Sequence, residues 1–159
     1  MPRHVAFHGW LPAAWAAAAL VAAGAASAQS EGGLYIAGAG ASFQAAAQRA
    51  LAQNPGGQRF FLLALPPESG ALTTRASAAQ TALRERVQRS GGVLFVCQRD
   101  VDSGRVPAAR LAPGVATVRG WPAAQAGELS DGRRAMPGEN AALLPASNEA
   151  LRRLRSSCS

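Results

Sequence analysis

The chain has 159 residues, a length that fits one domain, with 48% hydrophobic and 16% charged residues. That balance excludes a fully disordered chain, although alanine supplies much of the apolar share and aromatics make up only 6%. The 16 basic residues are all arginine against 9 acids, for a net charge of +7. Coding-sequence bias alone is enough to produce such an all-arginine, alanine-rich composition, so the charge is no argument for a nucleic-acid partner. The absence of lysine excludes a Schiff-base amine and a P-loop phosphate ligand.

Both histidines, His4 and His8, lie in the first ten residues. Met1–Trp10 carries one arginine, Arg3, and Leu11–Ala26 is an uncharged run of Leu, Val, Trp and Ala. It ends in Ala26-Ser27-Ala28 before Gln29, a small-x-small cleavage site. These are the three parts of a secretory signal peptide, residues 1–28, cleaved after Ala28. The rival is a retained anchor, but Pro12 and Gly24 interrupt the run and alanine is weakly apolar. The expectation is a periplasmic or secreted chain with no stable membrane span after cleavage. Losing both histidines excludes Ser-His-Asp and Cys-His catalysis and histidine-ligated metal.

Leu34–Ala37 reads as a strand, followed by the turn Gly38-Ala39-Gly40 and a helix over Phe43–Gln53 capped by Ser42. Asn54-Pro55-Gly56-Gly57 stops that helix. Arg59–Leu65 is a continuous apolar run, as in a strand covered on both faces. Thr74–Arg89 is a helix with Ala76, Ala79, Leu83 and Val87 on one stripe and Arg84 off it. Val93–Cys97 is a second buried strand, Asp100–Gly104 a polar loop, and Pro107–Leu111 a short helix. Val115–Arg119 is a further strand, and Ala123–Leu129 a short helix. Ala141–Leu144 reads as a last short strand, and Ser147 or Asn148 caps a final helix through Arg155, with Leu151 and Leu154 on one face, which Cys158 shares if the helix continues. Strands alternate with helices at short joins, which predicts a three-layer α/β/α domain with a mostly parallel sheet of four or five strands. Right-handed crossovers are expected to put helices on both faces.

Gly38-x-Gly40 between a strand and a helix has the setting of a dinucleotide loop, but the third glycine position holds Phe43, so a tight turn is the plainer reading. Carboxylates are few. Asp100 with Asp102, and Glu128 with Asp131, fall in loops and form no metal or acid/base cluster. Arg152, Arg153 and Arg155 read as the solvated face of the last helix. The two cysteines, Cys97 and Cys158, carry the most chemistry. A thiol at the carboxyl end of a parallel strand sits where α/β sheets place ligands, and a following helix N-terminus would stabilise its thiolate. Equally, in an oxidising compartment the pair can form a structural disulfide.

The segment Val93-Leu94-Phe95-Val96-Cys97, Gly104-Arg105-Val106 and Leu111-Ala112-Pro113-Gly114-Val115-Ala116-Thr117-Val118 resembles the DsrE/DsrF-like family of small α/β proteins. The resemblance spans about Leu34–Ala135 and implies a Rossmann-like layered fold, frequent homo-oligomers and, at the position of Cys97, a cysteine that in some members of the family carries sulfur as a persulfide. Two features depart from that family's sulfur-relay members: the export signal, and a C-terminal extension with its own Cys158.

The domain reading is a signal peptide over 1–28, a DsrE-like domain over 29–135 and an extension with the final helix over 136–159. The first functional reading is sulfur or thiol chemistry at Cys97, as a persulfide carrier or sulfurtransferase-like site, with Cys158 as resolving thiol. It needs no cofactor or metal, and its partner is a sulfur-donating or thiol protein. The rival is a non-catalytic periplasmic binding or assembly module stapled by Cys97–Cys158.

Overall fold

The computed structural model describes residues 30–121 and 134–159. The expected signal peptide and the expected helix over Ala123–Leu129 lie outside them, as do Glu128 and Asp131.

Four strands, β1 (Leu34–Ala37), β2 (Phe60–Ala64), β3 (Gly92–Cys97) and β4 (Val115–Val118), form one all-parallel sheet in the order β1-β2-β3-β4. Among the described residues four α-helices accompany them: α1 (Phe43–Gln53), α2 (Ala78–Arg89), the single turn α3 (Gln98–Asp102) and α4 (Asn148–Ser157). The fold is α/β, with helices flanking the sheet.

The period-2 alternation of strand side chains builds two cores from two central strands. Phe60, Leu62 and Ala64 of β2 and Leu94 and Val96 of β3 point to one face. There they meet Phe43, Ala46, Ala47 and Ala50 of α1 and Val87 of α2. Phe61 and Leu63, with Phe95 and Cys97, point to the other face and meet Leu144 and, from α4, Leu151 and Leu154. Phe60, Phe61 and Phe95 are at most 1% exposed. Burying each such side chain contributes about 1.5–3 kcal/mol. The alanines of α1 let that helix lie close to the sheet.

The crossovers do not distribute over both faces as expected. α1, α2 and the third connection, through Val101 and Leu111, all pack on the first face. The physical reason is the strand order. Each connection steps one strand in the same direction, so crossovers of one hand fall on one side. The second face is covered by residues that follow the sheet in sequence, chiefly α4.

Other boundaries moved for local reasons. α2 begins at Ala78, after a reciprocal capping box in which the Ser77 hydroxyl accepts from the Gln80 N–H and the Gln80 side chain accepts from the Ser77 N–H. Thr74 stays outside because its N–H donates to the Arg110 carbonyl at 2.7 Å. Glu68–Leu72 forms a 3-10 helix, and Gln98–Asp102 a helical turn that takes in the start of the expected Asp100–Gly104 loop. Ala141–Leu144 is not a fifth strand: Ala141–Leu143 is a 3-10 helix. The Asn140 side chain accepts from the Ala142 N–H at 3.0 Å, and Arg59 donates to the Ala142 carbonyl at 2.7 Å. Those backbone groups are therefore spent outside any ladder.

Candidate functional site

The two sequence-singled cysteines come together. Cys97 and Cys158 form a disulfide with an S–S distance of 1.98 Å and Cα atoms 5.2 Å apart, across 61 positions of sequence. With only two cysteines in the chain, no thiol is left over. Cys97 shares strand parity with Phe95, so its side chain points to the second face, where α4 lies. Leu151, Leu154 and Cys158 share the apolar face of α4, which brings Cys158 to the sheet. Cys97 is 0% and Cys158 2% exposed, within a cluster that includes Phe61, Phe95 and Val118.

The backbone approaches this bond closely. A Cβ on Gly120 would lie 2.4 Å from the Cys158 carbonyl oxygen, so the chain leaving β4 passes against the end of α4 only because residue 120 is glycine. Beside it a cavity of about 370 Å³ opens at the carboxyl ends of β3 and β4, lined in part by Gln98, Arg99, Arg119, Trp121 and Cys158. Its two arginines are held by main-chain carbonyls: Arg99 donates to Ser157 at 3.2 Å and Arg119 to Pro137 at 3.2 Å. The Trp121 indole donates to the Ser156 hydroxyl at 3.3 Å.

The setting of Cys97 differs from the one that activates thiolates. Cys97 does precede a helix, but α3 is one turn and the sulfur is bonded to its partner. Among the described residues the sheet order has no reversal, so these strand ends show no topological switch point of the kind at which open α/β sheets form their ligand crevice. Asp100 is 1% exposed, with Arg105 3.5 Å from one carboxylate oxygen and, among the described residues, no hydrogen-bond partner on the other. Asp102 accepts from the Gln98 side chain at 2.8 Å. Among the described residues no group of three or more His, Cys, Asp or Glu side chains is placed to hold a metal ion.

The glycine-rich turn is a turn. The Gly38 N–H donates to the Ala41 carbonyl at 2.7 Å and the Ala41 N–H returns to Gly38 at 3.1 Å. Two of the amides opening α1 are already served. Glu68 accepts from the Phe43 N–H at 2.6 Å, and the Ser42 hydroxyl from the Ala45 N–H at 3.1 Å. A fixed carboxylate at this helix start repels a phosphate rather than cradling one.

One site was misread from the sequence. Arg155 does not belong to a solvated face; it is 0% exposed and pairs with Glu139 at 2.9 Å. It also donates to the carbonyls of Arg119 and Arg134 and lies 5.7 Å from the Trp121 ring centroid. Glu139 in turn accepts from the Arg119 and Met136 N–H groups, both at 2.7 Å. The signal was present in the sequence, since Arg155 lies four positions after Leu151 and so shares its buried helical face. Arg84, placed off the stripe of α2, is likewise buried, and donates to the Ala71 and Thr73 carbonyls at 3.1 Å each.

No protein-family model, curated protein or solved structure matches this chain. The structure therefore stands as a small α/β domain with a four-stranded parallel sheet, without a family assignment. A disulfide points to an oxidising compartment. Among the described residues no helix is long and apolar enough to cross a membrane.

Proposed function

We propose that this chain is a non-catalytic binding or assembly module of an extracytoplasmic compartment, with Cys97–Cys158 as its structural staple. The observation that carries the reading is the burial of both sulfurs, at 0% and 2% exposure, inside an apolar cluster. Thiol exchange requires a thiolate to reach a sulfur, and burial blocks that approach. The bond ties the end of β3 to the end of α4, and α4 is the helix that closes the second core. Closing a loop of this size contributes about 4 kcal/mol in the chain-entropy model.

A second reading keeps the DsrE-like sulfur chemistry, with Cys97 as sulfur carrier and Cys158 as resolving thiol. Its support is the cavity beside Cys158 at the strand ends. It requires a partner dithiol first to reduce the pair to two thiols.

The test is the intact mass of the exported protein, taken with a thiol-blocking reagent across graded reductant. The staple reading expects a native mass two hydrogens light and no blocked cysteine at glutathione-level reduction. Two blocked thiols in the folded protein, or a removable sulfur adduct of about 32 Da, would replace it with the sulfur reading. The same mass shows whether residues 1–28 have been removed.

A further inference from the structure

Among the described residues β1 is an outer strand, hydrogen-bonded to β2 alone. The Gly33 and Ala37 carbonyls accept from the Phe61 and Leu65 N–H groups at 3.1 and 2.9 Å. In a parallel ladder a residue's N–H and C=O point the same way, and alternate residues point oppositely. The backbone groups of Leu34 and Ile36 therefore face away from the sheet. Among the described residues none of them is taken up by another hydrogen bond. An edge of this kind is a template for one more strand.

A cavity of about 220 Å³ lies along that edge. Leu34, Ile36, Ala41 and Ala46 supply apolar lining, and Arg49 and Arg153 supply charge. The two arginines come from opposite layers, Arg49 from α1 and Arg153 from α4, so they straddle the open edge. Both are exposed, and neither forms an ion pair among the described residues. Farther toward the start of β1 the edge turns acidic, with Glu31 and Glu149 lining a neighbouring cavity. Glu31 is engaged there, accepting from the Ala146 N–H at 2.7 Å.

We propose that this edge binds an extended segment of a partner protein as a fifth strand, with carboxylate side chains of that segment meeting Arg49 and Arg153. Main-chain bonds to Leu34 and Ile36 supply attachment, and the arginine pair selects acidic sequences. A second copy of the chain fits worse. Two-fold antiparallel pairing of β1 with its copy keeps like faces together, bringing Arg49 toward Arg49 and Arg153 toward Arg153. The inference deepens the binding-module reading and rests on it.

The test uses the exported chain with its disulfide confirmed by mass. The probe is a fluorescent, end-capped peptide of repeating Val-Val-Glu-Glu, which presents glutamates on both faces of a strand, compared with the same peptide carrying lysine for glutamate. Anisotropy is expected to show binding of the acidic peptide only, weakening as salt rises. Arg49→Glu with Arg153→Glu, both surface changes, is expected to weaken it about tenfold. N-methylating alternate amides of the peptide is expected to abolish binding, because strand addition uses those donors. Equal binding of the lysine peptide, indifference to the double reversal, or no acidic binding at all overturns the proposal. So does a concentration-dependent dimer that excludes the peptide. Peptide failure with a reduction-resistant disulfide sinks only the edge, whereas a labile disulfide with intact peptide binding sinks only the staple.

Discussion

The Glu139 carboxylate and the Arg155 guanidinium bond each other through both oxygens, at 2.9 and 3.0 Å, with side chains 2% and 0% exposed. The pair anchors α4 to the chain that follows β4, independently of the disulfide one turn away. Breaking a buried pair leaves a charge without its counterion, which costs about 3–5 kcal/mol. Glu139→Gln should lower stability by that order in urea unfolding. A loss below about 1 kcal/mol would show that the pair does not hold the helix.

The same carboxylate gives the protein an acid limit. Burial pushes the Glu139 carboxyl up. The bond from Arg155, the Met136 and Arg119 N–H groups and the nearby guanidinium charge outweigh this and hold it below the usual carboxylate range. A depressed folded-state value means that the stability is present above the unfolded carboxylate value of about 4.3. It is lost as pH falls through the lower folded value. Wild type should therefore lose stability on acidification through this window, and Glu139→Gln should lose less. Parallel acid unfolding curves for the two proteins would contradict this.

Removing the disulfide should be costly without changing the fold. Cys97→Ala with Cys158→Ala is expected to cost about 4 kcal/mol from loop closure. Limited proteolysis should cut first near α4, because that helix then relies on Leu151, Leu154 and the Arg155 contacts. Early cutting in α1 or α2 instead would mean that the bond supports the first core, opposite to its position here.

At the start of α1, Glu68 acts as a charged cap from a distant segment, accepting from the Phe43 N–H. Glu68→Gln should destabilise by about 0.5–1 kcal/mol, since the helix loses a negative charge at its positive end. The effect should shrink at high salt. A salt-independent loss would assign the residue to packing alone.

Ala39 has φ of +50° in the turn after β1, where glycine is the better residue. Ala39→Gly removes the Cβ clash but raises the entropy of the unfolded chain. The expected net gain is about 0.5 kcal/mol. A destabilised variant would show that the unfolded-state term dominates.

Local elements were legible where one short-range signal decided them. β1 and α1 lie at the predicted residues, because β-prone Leu34–Ala37 is followed by a glycine turn and Ser42 caps the helix directly. The apolar runs of β2 and β3 announced strands buried on both faces, and Ser147 marked the start of α4. Ser77-x-x-Gln80 was also written in the sequence, as the capping box that shortens α2.

The sequence by itself determined the α/β class, the approximate strands and the two residues able to form a disulfide, because each depends on periodicity, capping or counting. Only the tertiary structure decided the strand order, and with it the crowding of all three connections onto one face. It also decided that Cys97 meets Cys158, which depends on which face Cys97 and α4 share. Arg155 shows the division most plainly. Its helical position placed it on the apolar face, yet only the folded chain brings Glu139 and the Arg119 carbonyl within reach to make a buried guanidinium tolerable.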